Sequence, residues 1–227
     1  MNREKAASLI DHTILKAVAT KEDIKQLCLE ADENKFASVC VNPSYVKLAA
    51  ELLKNSTTKV CTVIGFPLGA NDSRTKAFET KLAVEDGATE VDMVVNVGAI
   101  KSEDWALVKA DVIAVVTAAK AANSETITKV IIETCYLTDA EKEKVCEILL
   151  ETGADFAKTS TGFGTGGATV ADVALMKRIV TDHMLIKASG GVKNYHDLLQ
   201  MVDAGANRIG TSGGIAIIND ESNTASY

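Results

Sequence analysis

Residues 155–162 read Asp-Phe-Ala-Lys-Thr-Ser-Thr-Gly, a strand pattern that runs into hydroxyl side chains and a glycine. Alternation along a strand places Phe156, Lys158 and Ser160 on one face. The flanking sequence is typical of a buried parallel strand, where an unpaired ammonium group is costly. Lys158 therefore either has a charge partner or is held neutral because the site needs a neutral amine.

A second lysine, Lys187, occupies a similar position in residues 184–191, Met-Leu-Ile-Lys-Ala-Ser-Gly-Gly. Two lysines near the ends of successive strands indicate one shared site. A lysine amine is a nucleophile only when neutral, and burial or a neighbouring ammonium group lowers a lysine's pKa. The pair therefore suits an imine-forming lysine. Simple pairing of each lysine with Asp92 or Asp11 is the alternative, and spacing alone leaves it open.

Composition limits the ligands and the compartment. The 227 residues include 24 Lys and Arg against 31 Asp and Glu, a net charge of −7, which argues against a nucleic-acid partner. The five cysteines are odd in number and lack paired metal spacing, as is typical of reduced thiols. The charged N-terminus and the lack of a long apolar run predict a cytoplasmic protein with no membrane partner.

Strand and helix patterns alternate eight times along the chain. The predicted strands are residues 9–13, 37–41, 59–64, 90–95, 129–134, the two that carry Lys158 and Lys187, and 208–212. This count predicts an α/β fold, a (β/α)8 TIM barrel that spans residues 1–227 as one domain with a flexible tail from about 219. An open doubly wound sheet is the second choice of fold, because no Gly-x-Gly-x-x-Gly motif follows the first strand.

Helix ends carry further signals. Thr20 and Thr138 are predicted N-caps, and Ser102 is predicted to start a long alanine-rich helix. Three Gly-Ala pairs are each predicted to close a helix just before a strand, at Gly87, Gly153 and Gly205.

Polar residues late in the predicted strands form one set, because these ends meet at one mouth of a barrel. The set is Asp11, Cys40, Asp92, Glu133, Lys158 and Lys187. It predicts a site with two cations and several carboxylates, and it lacks the spacing of a metal site. His12 is predicted to point to the opposite face from Asp11 and to be structural, as are His183 and His196.

Glycine-rich loops follow the seventh and eighth predicted strands, at residues 190–193 and 210–214. Barrels commonly hold a phosphate group at these two loops, through backbone N–H groups and a helix N-terminus. The predicted substrate-binding residues are Asp11, Cys40, Glu133, Thr159, Gly162, Gly190, Gly191, Gly210, Ser212 and Gly213.

The motifs at 155–162, 186–192 and 90–96 resemble the deoxyribose-phosphate aldolase family, with support from residues 9–13, 39–43, 66–69 and 131–134. The resemblance implies a metal-free class I aldolase without a cofactor, and a homodimer is expected for such a barrel. Its substrate would be a small phosphosugar, 2-deoxy-D-ribose 5-phosphate, cleaved reversibly to D-glyceraldehyde 3-phosphate and acetaldehyde.

The same resemblance implies roles for individual residues. Lys158 is expected to form the Schiff base, Lys187 to favour the neutral amine and transfer protons, and Asp92 to donate and accept protons through bound water. The chain ends soon after the eighth strand, which predicts a short last helix. Its terminal Tyr227 is predicted to visit the site as a mobile lid that passes a proton to the enamine.

Two alternatives stay open. A transaldolase-like enzyme would also form an imine but would act on a longer phosphosugar, with dihydroxyacetone rather than acetaldehyde as donor. A catalytically silent phosphosugar-binding protein would keep the glycine loops alone, and intact Lys158, Lys187 and Asp92 argue against it.

Overall fold

Eight parallel strands close into a barrel in the computed structural model, which describes residues 1–220. They are β1 (Ile10–Ile14), β2 (Ser38–Val41), β3 (Lys59–Ile64), β4 (Glu90–Val94), β5 (Ile127–Ile131), β6 (Phe156–Lys158), β7 (Leu185–Ser189) and β8 (Arg208–Thr211). Each strand pairs with the next, and β8 pairs back with β1. The predicted (β/α)8 barrel is confirmed.

Helices connect the strands. Over residues 1–220 the α-helices are α1 (Arg3–Ala7), α2 (Lys21–Glu33), α3 (Val46–Leu52), α4 (Ser73–Glu85), α5 (Val97–Lys101), α6 (Trp105–Ala122), α7 (Asp139–Leu149), α8 (Val170–Val180), α9 (Tyr195–Asp203) and α10 (Gly214–Ile218). The last helix is short, as predicted. Within this described part, no helix has both the length and the apolar character needed to cross a membrane.

Most of the predicted helix ends are confirmed. The Thr20 and Thr138 side chains each accept a backbone hydrogen bond at the start of α2 and α7, in capping boxes. Gly87, Gly153 and Gly205 have φ values of +110°, +77° and +116°, a backbone conformation that favours glycine.

The prediction of a long helix from Ser102 is wrong by three residues. Ser102 instead ends the short helix α5, whose first turn is capped by the Asn96 side chain. The long helix α6 starts at Trp105, because the Asp104 side chain accepts a hydrogen bond from the backbone N–H of Leu107.

Alternation along the strands separates two environments. Apolar side chains on the outer face pack beneath the helices, whereas the inner face of several strands carries charge. Adjacent positions in β1 show the contrast. Asp11 points inward, while Nε2 of His12 lies 2.7 Å from Glu30 on α2, and its ring packs against Phe36. His12 therefore has the predicted outward orientation.

Candidate active site

Charged side chains fill the barrel interior. In the described part of the chain they are Asp11 on β1, Glu90 and Asp92 on β4, Lys129 on β5, Lys158 on β6, Lys187 on β7 and Arg208 on β8. All except Arg208 are at most 3% exposed. A buried charge is tolerated only when it is paired and hydrogen-bonded, so the contacts among these groups determine what the site can do.

Asp92 is the meeting point of three lysines. Its Oδ2 lies 2.7 Å from Nζ of both Lys158 and Lys187, and its Oδ1 lies 2.8 Å from Nζ of Lys129. Burial opposes ionisation of Asp92, but positive charge on its lysine neighbours, Lys129 first and Lys187 with it, outweighs burial and holds the pKa of Asp92 well below its usual range. Asp92 is therefore a carboxylate.

Arg208 and Glu90 extend the network away from Asp92. Nη2 of Arg208 lies 2.6 Å from Asp11 and 2.8 Å from Glu90. Nζ of Lys129 lies 2.5 Å from Glu90, and Lys187 forms an ion pair with Asp11. The carboxylates outweigh the cost of burial, so the pKa values of Lys129, Lys187 and Arg208 all lie above their usual range.

Six of these side chains form a closed ring of ion pairs, called the ion ring below. In order around it they are Asp92, Lys187, Asp11, Arg208, Glu90 and Lys129, which returns to Asp92. Charges alternate in sign around the ring, so its formal charge is zero. Lys158 lies outside the ring, and within residues 1–220 its ion pairing is with Asp92 alone.

The sequence prediction located Lys158, Lys187, Asp92 and Asp11 but missed the other half of the ion ring. Glu90, Lys129 and Arg208 each open a predicted strand, where a charged residue is ordinarily exposed. Alternation along a strand could have indicated them. Glu90, for example, lies two positions before Asp92 and so shares its face. The polar set also lies deeper than predicted. Asp11 is the second residue of β1 and Asp92 the third of β4.

Cys40 also faces the interior, paired in register with Cys61 on β3. A hydrogen bond from Cys61 lowers the pKa of the Cys40 thiol, and the charge of Lys187 acts in the same direction. In the described chain, Cys40, Cys61 and Asp92 bring three possible metal-binding atoms within 4.8 Å of one another. Nζ of Lys129 lies 2.8 Å from Asp92 and 3.4 Å from Sγ of Cys61, so a metal ion would have to displace an ammonium group.

Glu133 is not in the fifth strand, contrary to the prediction, because β5 ends at Ile131. Its backbone has a φ of +55°, and its carboxylate accepts hydrogen bonds from the backbone N–H and the hydroxyl of Thr161. Thr159 joins β6 to β7, since its hydroxyl accepts a 3.1 Å hydrogen bond from the backbone N–H of Ser189. Both residues thus connect segments of the barrel mouth.

The predicted glycine loop after β7 lies against the loop after β6. Gly162, Gly190 and Gly191 have φ values of +86°, +72° and +81°. A Cβ atom on Gly167 would lie 2.5 Å from the carbonyl carbon of Gly190, so the loops after β6 and β7 meet backbone to backbone. A Cβ atom on Gly210 would overlap Oγ of Ser189 and would lie 3.1 Å from Cε of Lys187, so glycine there leaves room first for Ser189 and then for that lysine.

Three predicted positions remain near the chain's end. Gly213 precedes α10, and its backbone N–H donates to the Thr211 hydroxyl at 3.1 Å, with Ser212 half-buried between them. Tyr227, like the rest of the predicted tail beyond Asp220, lies outside the described residues, and its role stays a prediction.

The barrel and its interior define an enzyme class, the (β/α)8 barrel enzymes whose site is centred on lysine amines. The chain belongs to the DeoC/LacD family of aldolases, whose sequence model matches residues 5–220. It is 58% identical over 214 residues to a deoxyribose-phosphate aldolase of Carboxydothermus hydrogenoformans, covering 94% of each chain.

Two solved structures are similar throughout. The aldolase QR15 superposes with a TM-score of 0.89 at 41% identity, covering 94% of each chain. A deoxyribose-phosphate aldolase from Aeropyrum pernix, described as a unique tetramer, superposes with a TM-score of 0.89 at 33% identity, covering 96% of this chain and 91% of that one.

Proposed function

We propose that this protein is a deoxyribose-phosphate aldolase. It reversibly cleaves 2-deoxy-D-ribose 5-phosphate to D-glyceraldehyde 3-phosphate and acetaldehyde through an imine on Lys158. Family membership and the relatives' names support the reaction. One structural observation carries the choice of lysine. Every cation of the ion ring contacts at least two carboxylates, whereas Lys158 contacts one.

Charge balance supports a neutral Lys158. The described interior holds four cationic side chains and three carboxylates, and the ion ring alone is already neutral. A fourth buried positive charge would be uncompensated and therefore costly. Of the four cationic side chains, Lys158 has the fewest carboxylate partners, and it is slightly exposed. A neutral amine is the form that attacks a carbonyl group.

The mechanism follows from this arrangement. Neutral Lys158 attacks C1 of the open-chain sugar, and loss of water leaves a protonated imine beside Asp92. Asp92, acting through bound water, accepts the proton of the C3 hydroxyl group as the C2–C3 bond breaks. The enamine of acetaldehyde stays on Lys158 until C2 is protonated and water hydrolyses the imine. Lys187, held as a cation by Asp11 and Asp92, completes the proton transfers.

The glycine loops fix the other end of the substrate. Gly190 and Gly191 have positive φ values, a conformation that favours glycine and lets the backbone come close to a bound phosphate group. Anchoring the phosphate determines which carbon–carbon bond lies over Lys158. The proposed chemistry uses no metal ion and no cofactor.

The test is reduction with borohydride in the presence of acetaldehyde, followed by mapping of the modified peptide by mass spectrometry. We expect one ethyl adduct, on Lys158. Turnover with dihydroxyacetone but not with acetaldehyde would replace this function with a transaldolase-like one. An absence of both turnover and adduct would reject the aldolase assignment.

We also propose that the protein acts in the cytoplasm as a homo-oligomer, with a dimer as the prediction. The tetramer named for the relative from A. pernix supports association of this fold. On the outer surface, Phe78 and Leu82 of α4 are 61% and 45% exposed, which is unusual for large apolar side chains. Light scattering after size-exclusion chromatography measures the mass directly.

A further inference from the structure

Glu90 and Arg208 have no part in the proposed chemistry, yet they are held in the barrel interior. Arg208 Nη2 donates to both Glu90 oxygens, at 2.8 and 3.0 Å, and Arg208 Nε donates to Asp11 at 2.8 Å. Glu90 is 1% exposed. Within residues 1–220 neither side chain forms an ion pair or hydrogen bond with Lys158. A buried charged pair needs a reason, since an apolar pair of equal volume is often as stable.

We propose that Glu90 and Arg208 are positioning residues that close the ion ring and thereby set the protonation state of Lys158. The inference rests on the proposed imine chemistry and deepens it. In the closed ring, Asp92 is already neutralised by Lys187 and Lys129. The ring thus satisfies the charge of Asp92 without a charge on Lys158.

The interior groups around Lys158 come from each of the seven other strands. In the described chain they are Asp11 on β1, Cys40 on β2, Cys61 on β3, Asp92 on β4, Lys129 on β5, Lys187 on β7 and Arg208 on β8. The ion pair of Lys158 is with Asp92, so substitution of Glu90 or Arg208 removes no ion pair of Lys158 in the described chain. The expected effect is a change in the net charge of the ion ring.

Substitutions of Glu90 and of Arg208 should therefore change the proton affinity of Lys158 in opposite directions. Glu90→Gln removes a negative charge and leaves the ring at +1, so Lys158 releases its proton more readily. Arg208→Gln removes a positive charge and leaves the ring at −1, so Lys158 binds its proton more tightly. Because a unit charge in the protein interior acts beyond its direct contacts, we expect the pH dependence of the reaction to move by about one pH unit in each case.

The experiment measures kcat/KM for 2-deoxy-D-ribose 5-phosphate against pH, since its acidic limb reports the free enzyme. We expect the limb to move to lower pH in Glu90→Gln and to higher pH in Arg208→Gln. In the double variant, whose ring is neutral again, and in the charge-preserving Arg208→Lys, the acidic limb should lie near its pH in the unmodified protein.

A matched control lies outside the site. Lys76 on α4 and Asp111 on α6 form an equally buried ion pair, with 2.6 Å between Nζ and Oδ2. Asp111→Asn should lower the melting temperature without moving the acidic limb, as a purely structural role predicts. Melting curves for all variants separate stability from protonation.

Movement of the limb in the same direction, or no movement in a folded Glu90→Gln or Arg208→Gln protein, would overturn the proposal. If one single variant does not fold, the direction in which the limb moves in the other variant tests the proposal. An unmodified protein that traps acetaldehyde on Lys158, with unchanged profiles in the variants, rejects this inference alone. An unmodified protein that traps nothing rejects the proposed function first.

Discussion

The amines of Lys158 and Lys187 lie at the same distance from one oxygen of Asp92 but differ in their other contacts. Lys187 has Asp11 as a second partner, which keeps it a cation, whereas Lys158 has none among the described residues. Of the two interpretations that spacing left open, pairing with carboxylates is confirmed, since Lys187 contacts Asp11 and Asp92 and Lys158 contacts Asp92. The imine-forming role of Lys158 stays a prediction. Environment, not residue type, separates the contacts of the two lysines.

Lys158→Arg should abolish borohydride trapping and turnover while leaving the fold intact. A guanidinium group stays protonated in proteins and cannot form the imine. Circular dichroism and a melting curve check the fold, and peptide mapping checks the adduct. An adduct that appears instead on Lys187 would reverse the assignment of the two lysines.

Lys187→Leu opens the ion ring and leaves it at −1, so Lys158 binds its proton more tightly. We expect the acidic limb of the pH–rate profile to move to higher pH. Turnover at pH 7 should fall roughly tenfold for every pH unit by which the limb moves. The pH dependence of kcat/KM measures both effects. An unchanged profile would mean that Lys187 acts only on the substrate.

Secondary-structure elements bring the two ends of the site together. β6 has only three residues, so the chain leaves the barrel directly after Lys158. The loop that follows packs on the loop after β7, where the backbone N–H of Ala168 donates to the carbonyl oxygens of Ser189 and Gly190. The lysine end and the predicted phosphate end of the site are thus joined through two loops.

Gly167→Ala tests this junction. Its Cβ would meet the backbone of Gly190, which has no flexible side chain that could move aside. We expect KM for the phosphosugar to rise about tenfold, while trapping of acetaldehyde, which carries no phosphate, changes little. The neighbouring Gly166→Ala, whose Cβ would lie 3.3 Å from Cβ of Cys135, is the matched control. An equal effect on both substrates would contradict a phosphate-specific role for the junction.

On the scale of the whole molecule, the ion ring ties five strands together across the barrel. β1, β4, β5, β7 and β8 each contribute at least one charged side chain, in a region that other barrels fill with apolar layers. Buried ion pairs add little net stability over apolar packing of the same volume. The ring is therefore better explained by the chemistry of Lys158 than by stability.

The ion ring makes the fold sensitive to acid. The charges of Arg208, Lys187 and Lys129 outweigh burial and hold the pKa of Asp11 below its usual range, and the pKa of Asp92 is lowered in the same way. An unfolded aspartate has a pKa of about 3.9. The stabilisation is thus complete above that value and is lost as the pH falls through the lower folded-state values.

We therefore expect the free energy of unfolding to be nearly constant from pH 7 to about 5 and to fall steeply below about pH 4. Urea unfolding at constant ionic strength measures it. Stability that stays level down to about pH 2.5 would show that these carboxylates are not ionised in the folded protein.

The sequence by itself determined the barrel, most helix ends and the central groups of the site. Those features depend on local signals, such as strand alternation, capping side chains, glycine at helix ends, and motifs within a few residues of Lys158, Lys187 and Asp92. Only the tertiary structure decided how the ion ring closes. Its members are as far apart in sequence as Asp11 and Arg208, and they meet because β8 pairs with β1 in a definite register. No local pattern specifies which buried charges become partners, since barrel closure and strand register select them.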